Sequence, residues 1–366
     1  MVIATGISSV VTQLLIIREF LAQFQGNEFI IALILFNWLV LGGIGTILAR
    51  WITRELLPTT ASRLGWLSLI LSGMPAVQIL AIRFLRDVFF IHGTSVGFYP
   101  ILSYSFLIIA PYGLMIGFVL PYSLFVIRAE KPDYSGARIY IVDNLGDVSG
   151  GVLFSFVLVF LVTPLKAVFF ANLPLLLTAC LLLFHNVFRS KITIYLGTGV
   201  TLIILIAGIF LEPASLFPPS GKQVYYEESR YGRIEVQKDQ EQFTLFVGGI
   251  PLFDTQNLSM AEETIHYPLS QLPRLRNILL ISAEGGMMTE LEKYRPASID
   301  YIELDPKVAE IEFRYKMIKQ IPGLKVINQD GRVYLANSDK IYDALGYKIK
   351  HAICFFLVKV KLEEIT

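Results

Sequence analysis

Two glycines and a carboxylate carry the plainest chemistry in this chain. Gly285 and Gly286 follow the apolar run Asn277–Ile281, and Glu303 closes a second apolar run that begins at Ile299. An open α/β sheet holds a nucleoside in this order. Glycines after the first strand let the backbone approach the ligand, and an acid roughly 20 residues on takes ribose hydroxyls. The competing reading of Glu303 is an ordinary solvated acid at a strand end. A third run, Lys325–Asn328, precedes Asp330 and Gly331, where an acid either caps a helix or faces a ligand. A second polar group, Asp143, Asn144 and Asp147, sits within the apolar stretch RIYIVDNLGDVSGG. Asp143 and Asp147 are four apart and share a helix face, and Gly146, Gly150 and Gly151 allow close helix contact. That group reads either as a pocket for a cation or amine, or as an interfacial helix start where acids are favoured. Arg18–Glu19 and Asn27–Glu28 invite the same two readings, a functional polar site or, as favoured here, a structural ion pair or cap.

The elements that must position these residues fall into two unlike halves. The chain has 366 residues, 54% hydrophobic and 17% charged, where a soluble protein carries about 25% charged residues. Residues 1–221 hold 12 of the 31 Lys and Arg and 9 of the 30 Asp and Glu. The first part suits lipid and the second suits water. A net charge of +1 argues against nucleic acid as a partner, since phosphates call for a basic face. Cys180 and Cys354 make no disulfide framework, and the four histidines have no ligand spacing, so no metal is expected.

Apolar runs near residues 2–17, 29–49, 64–84, 101–127, 144–163, 165–184 and 192–211 predict about seven membrane spans. The first is short, reads as a helix missing its start, and lacks the features of a signal peptide. Pro111 and Pro121 are expected to kink the fourth span rather than end it. Loops after the second, fourth and sixth spans carry eight Lys and Arg against four in the alternate loops (Arg18, Arg83, Arg86, Lys166). This bias places the former in the cytoplasm and the polar half outside, whereas a nucleoside cofactor is cytosolic. The side of the polar half stays open, as does homo-oligomerisation.

Residues 1–215 therefore form a multi-pass membrane domain and 216–366 a second domain beyond the linker Phe217–Gly221. RIEVQKD and QFTLFV alternate as a β-hairpin within about 225–255. A helix follows from Ala261 to about Gln271. Strands at 277–281, 299–303 and 325–328 then alternate with helices at 287–294, 306–319 and from Asp330 to Ala336. This pattern predicts a parallel, doubly wound sheet over about 261–343.

In that order, YGRIEV, AEETIH, the glycine turn, IELDP and NQDGR resemble the polyamine aminopropyltransferases, the spermidine synthases. With REFLAQFQGNE, WLVLGGIGTILAR and RIYIVDNLGDVSGG, the resemblance narrows to the bacterial branch with an N-terminal multi-pass domain. It covers nearly all of the chain to about Asp343. It implies a partial Rossmann-like sheet of the S-adenosylmethionine-dependent methyltransferase type and a bacterial inner-membrane protein. It also implies transfer of an aminopropyl group from decarboxylated S-adenosylmethionine to a diamine such as putrescine. Ser282, Ala283, Glu284, Gly285 and Gly286 would form the cofactor loop, Glu303 would hold the ribose, and Asp330 with Gly331 would lie near the adenine. Glu262 and Glu263 match the family's gate acids or are surface charges.

The chain departs from the family twice. The loop SAEGG has lost two glycines, and its acid is displaced. After Asp343 the tail 344–366, ALGYKIKHAICFFLVKVKLEEIT, does not resemble the family. It lacks the strand-end acid that would deprotonate the attacking amine. The expectation is a truncated sheet with strands four to seven absent, His351–Val360 forming either one substitute strand or a hydrophobic patch. Two further readings stand beside an active transferase: a non-enzymatic membrane protein binding or transporting a polyamine or nucleoside, and an inactive gene fragment.

Overall fold

A computed structural model describes residues 1–24, 28–55, 59–90, 96–186, 191–216, 221–272, 274–283, 285–349 and 352–360. The chain divides into two compact units, Met1–Pro219 and Ser220–Thr366.

The first unit is a bundle of α1 (Val2–Gln23), α2 (Glu28–Glu55), α3 (Ala61–Phe89), α4 (Phe98–Glu130), α5 (Gly136–Leu153), α6 (Val159–Leu161), α7 (Pro164–Asn186) and α8 (Lys191–Leu211). A π segment, Phe154–Leu158, joins α5 to the last turn, α6. Counting α5 and α6 as one, seven helices among the described residues are long and apolar enough to cross a membrane. The helix expected over residues 2–17 runs on to Gln23. Arg18–Glu19 does not end it, because Glu19 is fully buried against Arg83 of α3 rather than solvated. Pro111 and Pro121 lie inside an unbroken α4.

Glycines set the closest helix contacts. A Cβ at Gly117 would stand 2.2 Å from the Gly42 carbonyl oxygen, and one at Gly45 would stand 2.2 Å from that of Leu114. Thr46 Oγ1 donates across the same seam to Gly117 O at 3.1 Å. Gly146 and Gly150 press α5 onto α1, where a Cβ would meet Ile3 O at 2.3 Å and Ile7 Cα at 2.9 Å. Small residues four apart let helix backbones touch without side chains between them.

Buried polar bonds tie the helices further. Arg83 binds Glu19 through two parallel contacts, Nε–Oε2 at 2.9 Å and Nη2–Oε1 at 2.7 Å, and gives Nη1 to Ser215 Oγ at 2.8 Å. Glu212 lies 3.7 Å from Arg83. The ends of α1, α3 and α8 therefore meet at one end of the bundle.

The second unit begins with an antiparallel meander, β1 (Lys222–Glu228), β2 (Arg233–Asp239), β3 (Gln242–Val247) and β4 (Ile250–Asp254). The β2–β3 turn is the expected hairpin, with Asp239 opposite Gln242. Next come α9 (Leu258–Leu269), β5 (Asn277–Ile281), α10 (Met287–Glu292), β6 (Ser298–Ile302), α11 (Pro306–Arg314), β7 (Leu324–Ile327), α12 (Gly331–Asn337), β8 (Tyr342–Ile349) and β9 (Ala352–Val360). The strand order is β7-β6-β5-β8-β9; the first four are parallel and β9 is antiparallel. The expectation of a sheet ending after three strands is corrected. Tyr342, Ala344 and Leu345 are buried, and β8 closes the side of β5 that would otherwise stay open.

Alternation along β5 explains the layers. Ile278 and Leu280 join Ile234, Val236 and Leu245 of the meander and Ile265 and Leu269 of α9 in one core. Leu279 and Ile281 face the other way, with Ile302, Tyr342, Leu345, Tyr334 and Leu335. Both faces are covered, as parallel strands require.

Candidate functional site

Register brings the three predicted loops to one edge. Ile281 of β5 pairs with Ile302 of β6, and Ile302 pairs with Ile327 of β7, so three strands end level. Ser282 to Gly286, Glu303 to Asp305, and Asn328 to Gly331 follow these ends directly. Strand order reverses beside β5, between β6 and β8. Ligands of open α/β sheets bind beyond the strand ends at such a reversal.

Each predicted residue has a definite place, except Glu284, which lies outside the described residues. Ser282 has φ +56° and donates its N–H to Ile302 O at 3.0 Å. That left-handed backbone suits glycine and strains a residue carrying Cβ. Gly285 is buried. Gly286, at φ +76°, is the N-cap of α10, and a Cβ there would stand 3.1 Å from Ala261 Cβ. Asp330 is exposed and caps α12, its Oδ1 accepting from Arg332 N at 2.8 Å and Val333 N at 3.2 Å. Gly331 lets α12 start against β5, since a Cβ would meet Ile281 Cγ2 at 2.8 Å.

Glu303 is 7% exposed. Its Oε1 accepts from Asp305 N at 3.2 Å, and Oε2 lies 3.3 Å from the Tyr301 hydroxyl, which donates to Glu312 Oε2 at 2.7 Å. Burial pushes the Glu303 carboxyl above the usual range, and the Asp305 N–H and Tyr301 hydroxyl pull it partly back. Asn328, which the sequence pattern left unremarked, donates Nδ2 to Glu303 O at 3.2 Å and ties the β6 and β7 loops together. Asp305 caps α11 through Oδ1, accepting from Lys307 N at 3.0 Å, while its buried Oδ2 has no hydrogen-bond partner among the described residues. An unpaired carboxylate oxygen two residues from Glu303 is a second acceptor at this edge. Only its place in the strand-end sequence IELDP hinted at it. Glu262 and Glu263 are exposed on α9.

Across the reversal, Tyr347 of β8 pairs with Ile281. The strand then runs through Lys348 and Ile349, so its C-terminal end carries no carboxylate.

In the first unit, Asp143 and Asp147 line a cavity of about 200 Å³ with Thr5, Ser9, Thr46 and Tyr140. Asn144 is exposed and stands apart from it. The reading of this group as a helix start is corrected. The helix begins at Gly136 under a Ser135 cap, two turns before Asp143. Among the described residues no group of three or more His, Cys, Asp or Glu is placed to hold a metal ion.

Comparison with known proteins adds relatives to this geometry. The chain is 27% identical over 232 residues to a polyamine aminopropyltransferase of Oceanobacillus iheyensis, covering 58% of this chain and 44% of that protein. That share of the chain is larger than the second unit alone, so the likeness reaches into the helical bundle. A polyamine aminopropyltransferase of Clostridium botulinum is 25% identical over 134 residues (34% and 46%), and polyamine aminopropyltransferase 2 of Aquifex aeolicus is 26% identical over 129 residues (33% and 26%). No protein-family model matches the chain. The chain is similar to the polyamine aminopropyltransferases, and it spans less than half the length of these curated relatives.

Proposed function

We propose that this is a membrane-anchored, spermidine-synthase-like protein whose second unit binds decarboxylated S-adenosylmethionine, or S-adenosylmethionine itself, beyond the ends of β5, β6 and β7. One observation carries this reading: three strands end level beside a strand-order reversal, with a turn containing Gly285 and Gly286 on the first and Glu303 on the second. In this Rossmann-like arrangement Glu303 accepts from the ribose hydroxyls and the Ser282–Gly286 backbone faces the ligand, with Asp330 and Gly331 at the adenine side. No metal takes part in the proposal.

The reaction class that goes with this ligand is transfer of the aminopropyl group to a diamine such as putrescine. The amine attacks the carbon bound to the sulfonium, the C–S bond breaks, and methylthioadenosine leaves. The amine must lose a proton to attack, and the end of β8 offers Tyr347, Lys348 and Ile349 in place of an acid. Nucleoside binding is therefore the core of the proposal, and transfer is its second stage. Seven helices of membrane-crossing length support anchoring in a bacterial inner membrane.

Calorimetry on the purified full chain tests both stages, using decarboxylated and ordinary S-adenosylmethionine and then putrescine. Heat with a nucleoside ligand and release of methylthioadenosine on adding putrescine would support the transferase. Heat without turnover would leave a binding protein. No heat with either nucleoside would end the proposal. The Asp143–Asp147 cavity favours one further reading, a polyamine site in the bundle. Putrescine heat abolished by Asp143→Asn and unchanged by Glu303→Gln would select it.

A further inference from the structure

The hydrogens around Glu303 do not balance if its carboxyl is ionised. Tyr301 and Glu312 are fully buried and Glu303 is 7% exposed, with the Tyr301 hydroxyl between the two acids. A phenol has one hydrogen and two lone pairs. The hydrogen goes to Glu312 Oε2, the nearer oxygen at 2.7 Å, and one lone pair takes the Ala283 N–H. The other lone pair is left for Glu303 Oε2 at 3.3 Å. An ionised carboxylate only accepts, so two oxygens would face each other with no hydrogen between them. A hydrogen on Oε2 closes the set, for Glu303 then donates to Tyr301 and Tyr301 to Glu312.

The surroundings agree. The titratable groups grouped around Glu303 are Tyr301 of β6, Glu312 of α11 and Asp305 of the turn between them, and none of these is a cation. Asn328, from the β7 side, is neutral and bonds the Glu303 carbonyl. Burial without a cation favours the uncharged acid, and the Glu303 carboxyl is pushed up accordingly. Because the same hydroxyl holds Ala283, Tyr301 positions both the loop after β5 and the acid after β6.

We propose that nucleoside binding at this edge is proton-coupled: Tyr301 and Glu312 keep Glu303 as a carboxylic acid until the ribose hydroxyls displace its proton. This rests on the nucleoside reading of the edge. The ribose hydroxyls are donors, and a pair of them on one carboxyl needs both of its oxygens as acceptors. Glu303 exchanges its bond to Tyr301 for bonds from the ligand, and its proton passes to solvent. Affinity then falls about tenfold for each pH unit below the raised value and is level above it.

Calorimetry on the full chain tests this at mildly acidic pH, where the amino groups of ordinary and decarboxylated S-adenosylmethionine stay protonated. Each titration is run in MES and in imidazole, whose heats of protonation differ. The buffer takes up a released proton, so the apparent enthalpies should differ by about one proton per nucleoside, and the gap should close at neutral pH. Glu312→Met frees the Tyr301 hydrogen for Glu303. It should erase the gap and, a pH unit below the raised value, tighten binding about tenfold. Affinity lowered at every pH with the gap intact would make Glu312 a structural residue and overturn the proposal. If that variant does not fold, the gap in the unaltered chain still decides. Binding with equal enthalpies in the two buffers would overturn proton coupling and leave the nucleoside reading standing. No heat with either nucleoside would end both.

Discussion

Glu303 and Glu19 are both carboxylates buried by their neighbours, yet they act differently. Glu19 has a cation on both oxygens, and Glu303 has only neutral donors. Removing one member of a buried ion pair leaves a charge without a partner and costs about 3–5 kcal/mol. Arg83→Met should therefore lower the stability of the bundle by that order, read as loss of thermal unfolding temperature in detergent. Arg83→Met combined with Glu19→Leu should recover much of it. At Glu303 the sign with pH is the reverse of a salt-bridged acid. Its folded value lies above 4.5, its ordinary value, so the folded state holds a proton that the unfolded chain has released. Its contribution is complete below 4.5 and fades as pH rises through the raised value. Denaturation of the unaltered chain and of Glu303→Gln across this window should show the fading term only in the former. Glu303→Gln should also weaken nucleoside binding by more than Glu292→Gln, since Glu292 is engaged on the surface with Lys319; equal losses would sink the ribose assignment. Glu303 was legible because strand-end acids follow glycine turns in a recognisable order. Its burial and the support from Asn328 were not, because both depend on β7 lying level with β6.

At the scale of elements, the glycines separate into two kinds. Gly286 is needed for its left-handed backbone, and Gly45 and Gly117 for helix contact. Gly286→Ala should cost about 1–3 kcal/mol from backbone strain, while Ser282→Gly, which relieves the same strain one turn earlier, should stabilise by up to about 1 kcal/mol. Chemical denaturation of the two variants checks both signs. Gly117→Val should separate α2 from α4 and lower thermal stability with no change in backbone conformation elsewhere. Three parallel strands, the helices and the β2–β3 hairpin of the second unit were readable from alternation and turn residues, with α11 stopping at Arg314 instead of reaching 319; β1 and β4, which widen the hairpin into a four-stranded meander, were not. The fourth parallel strand was not readable either. Ala344–Gly346 gains its meaning from pairing with Ile278–Leu280, far away in sequence, and local pattern does not carry register between distant segments.

For the whole molecule, two arguments about sidedness pull apart. Basic loops after the second, fourth and sixth spans direct the last span outward, and Arg83, one of the four counter-examples, is buried in the bundle instead of facing a loop. A nucleoside ligand requires the cytosol. The proposed function thus predicts a cytoplasmic reading from a reporter fused after Thr366, and an exterior reading would end the cofactor assignment while leaving the bundle as described. The junction of Glu19, Arg83, Ser215 and Glu212 also bears on how the protein is made. Under the proposed membrane anchoring, Glu19 enters the bilayer dozens of residues before Arg83 exists, and the final partners emerge only after α8. Under the same proposal Glu19 stays unpaired until the third helix arrives. Assembly of the bundle is then sealed by the residues that follow its last helix, so the order of manufacture is written into one ionic knot.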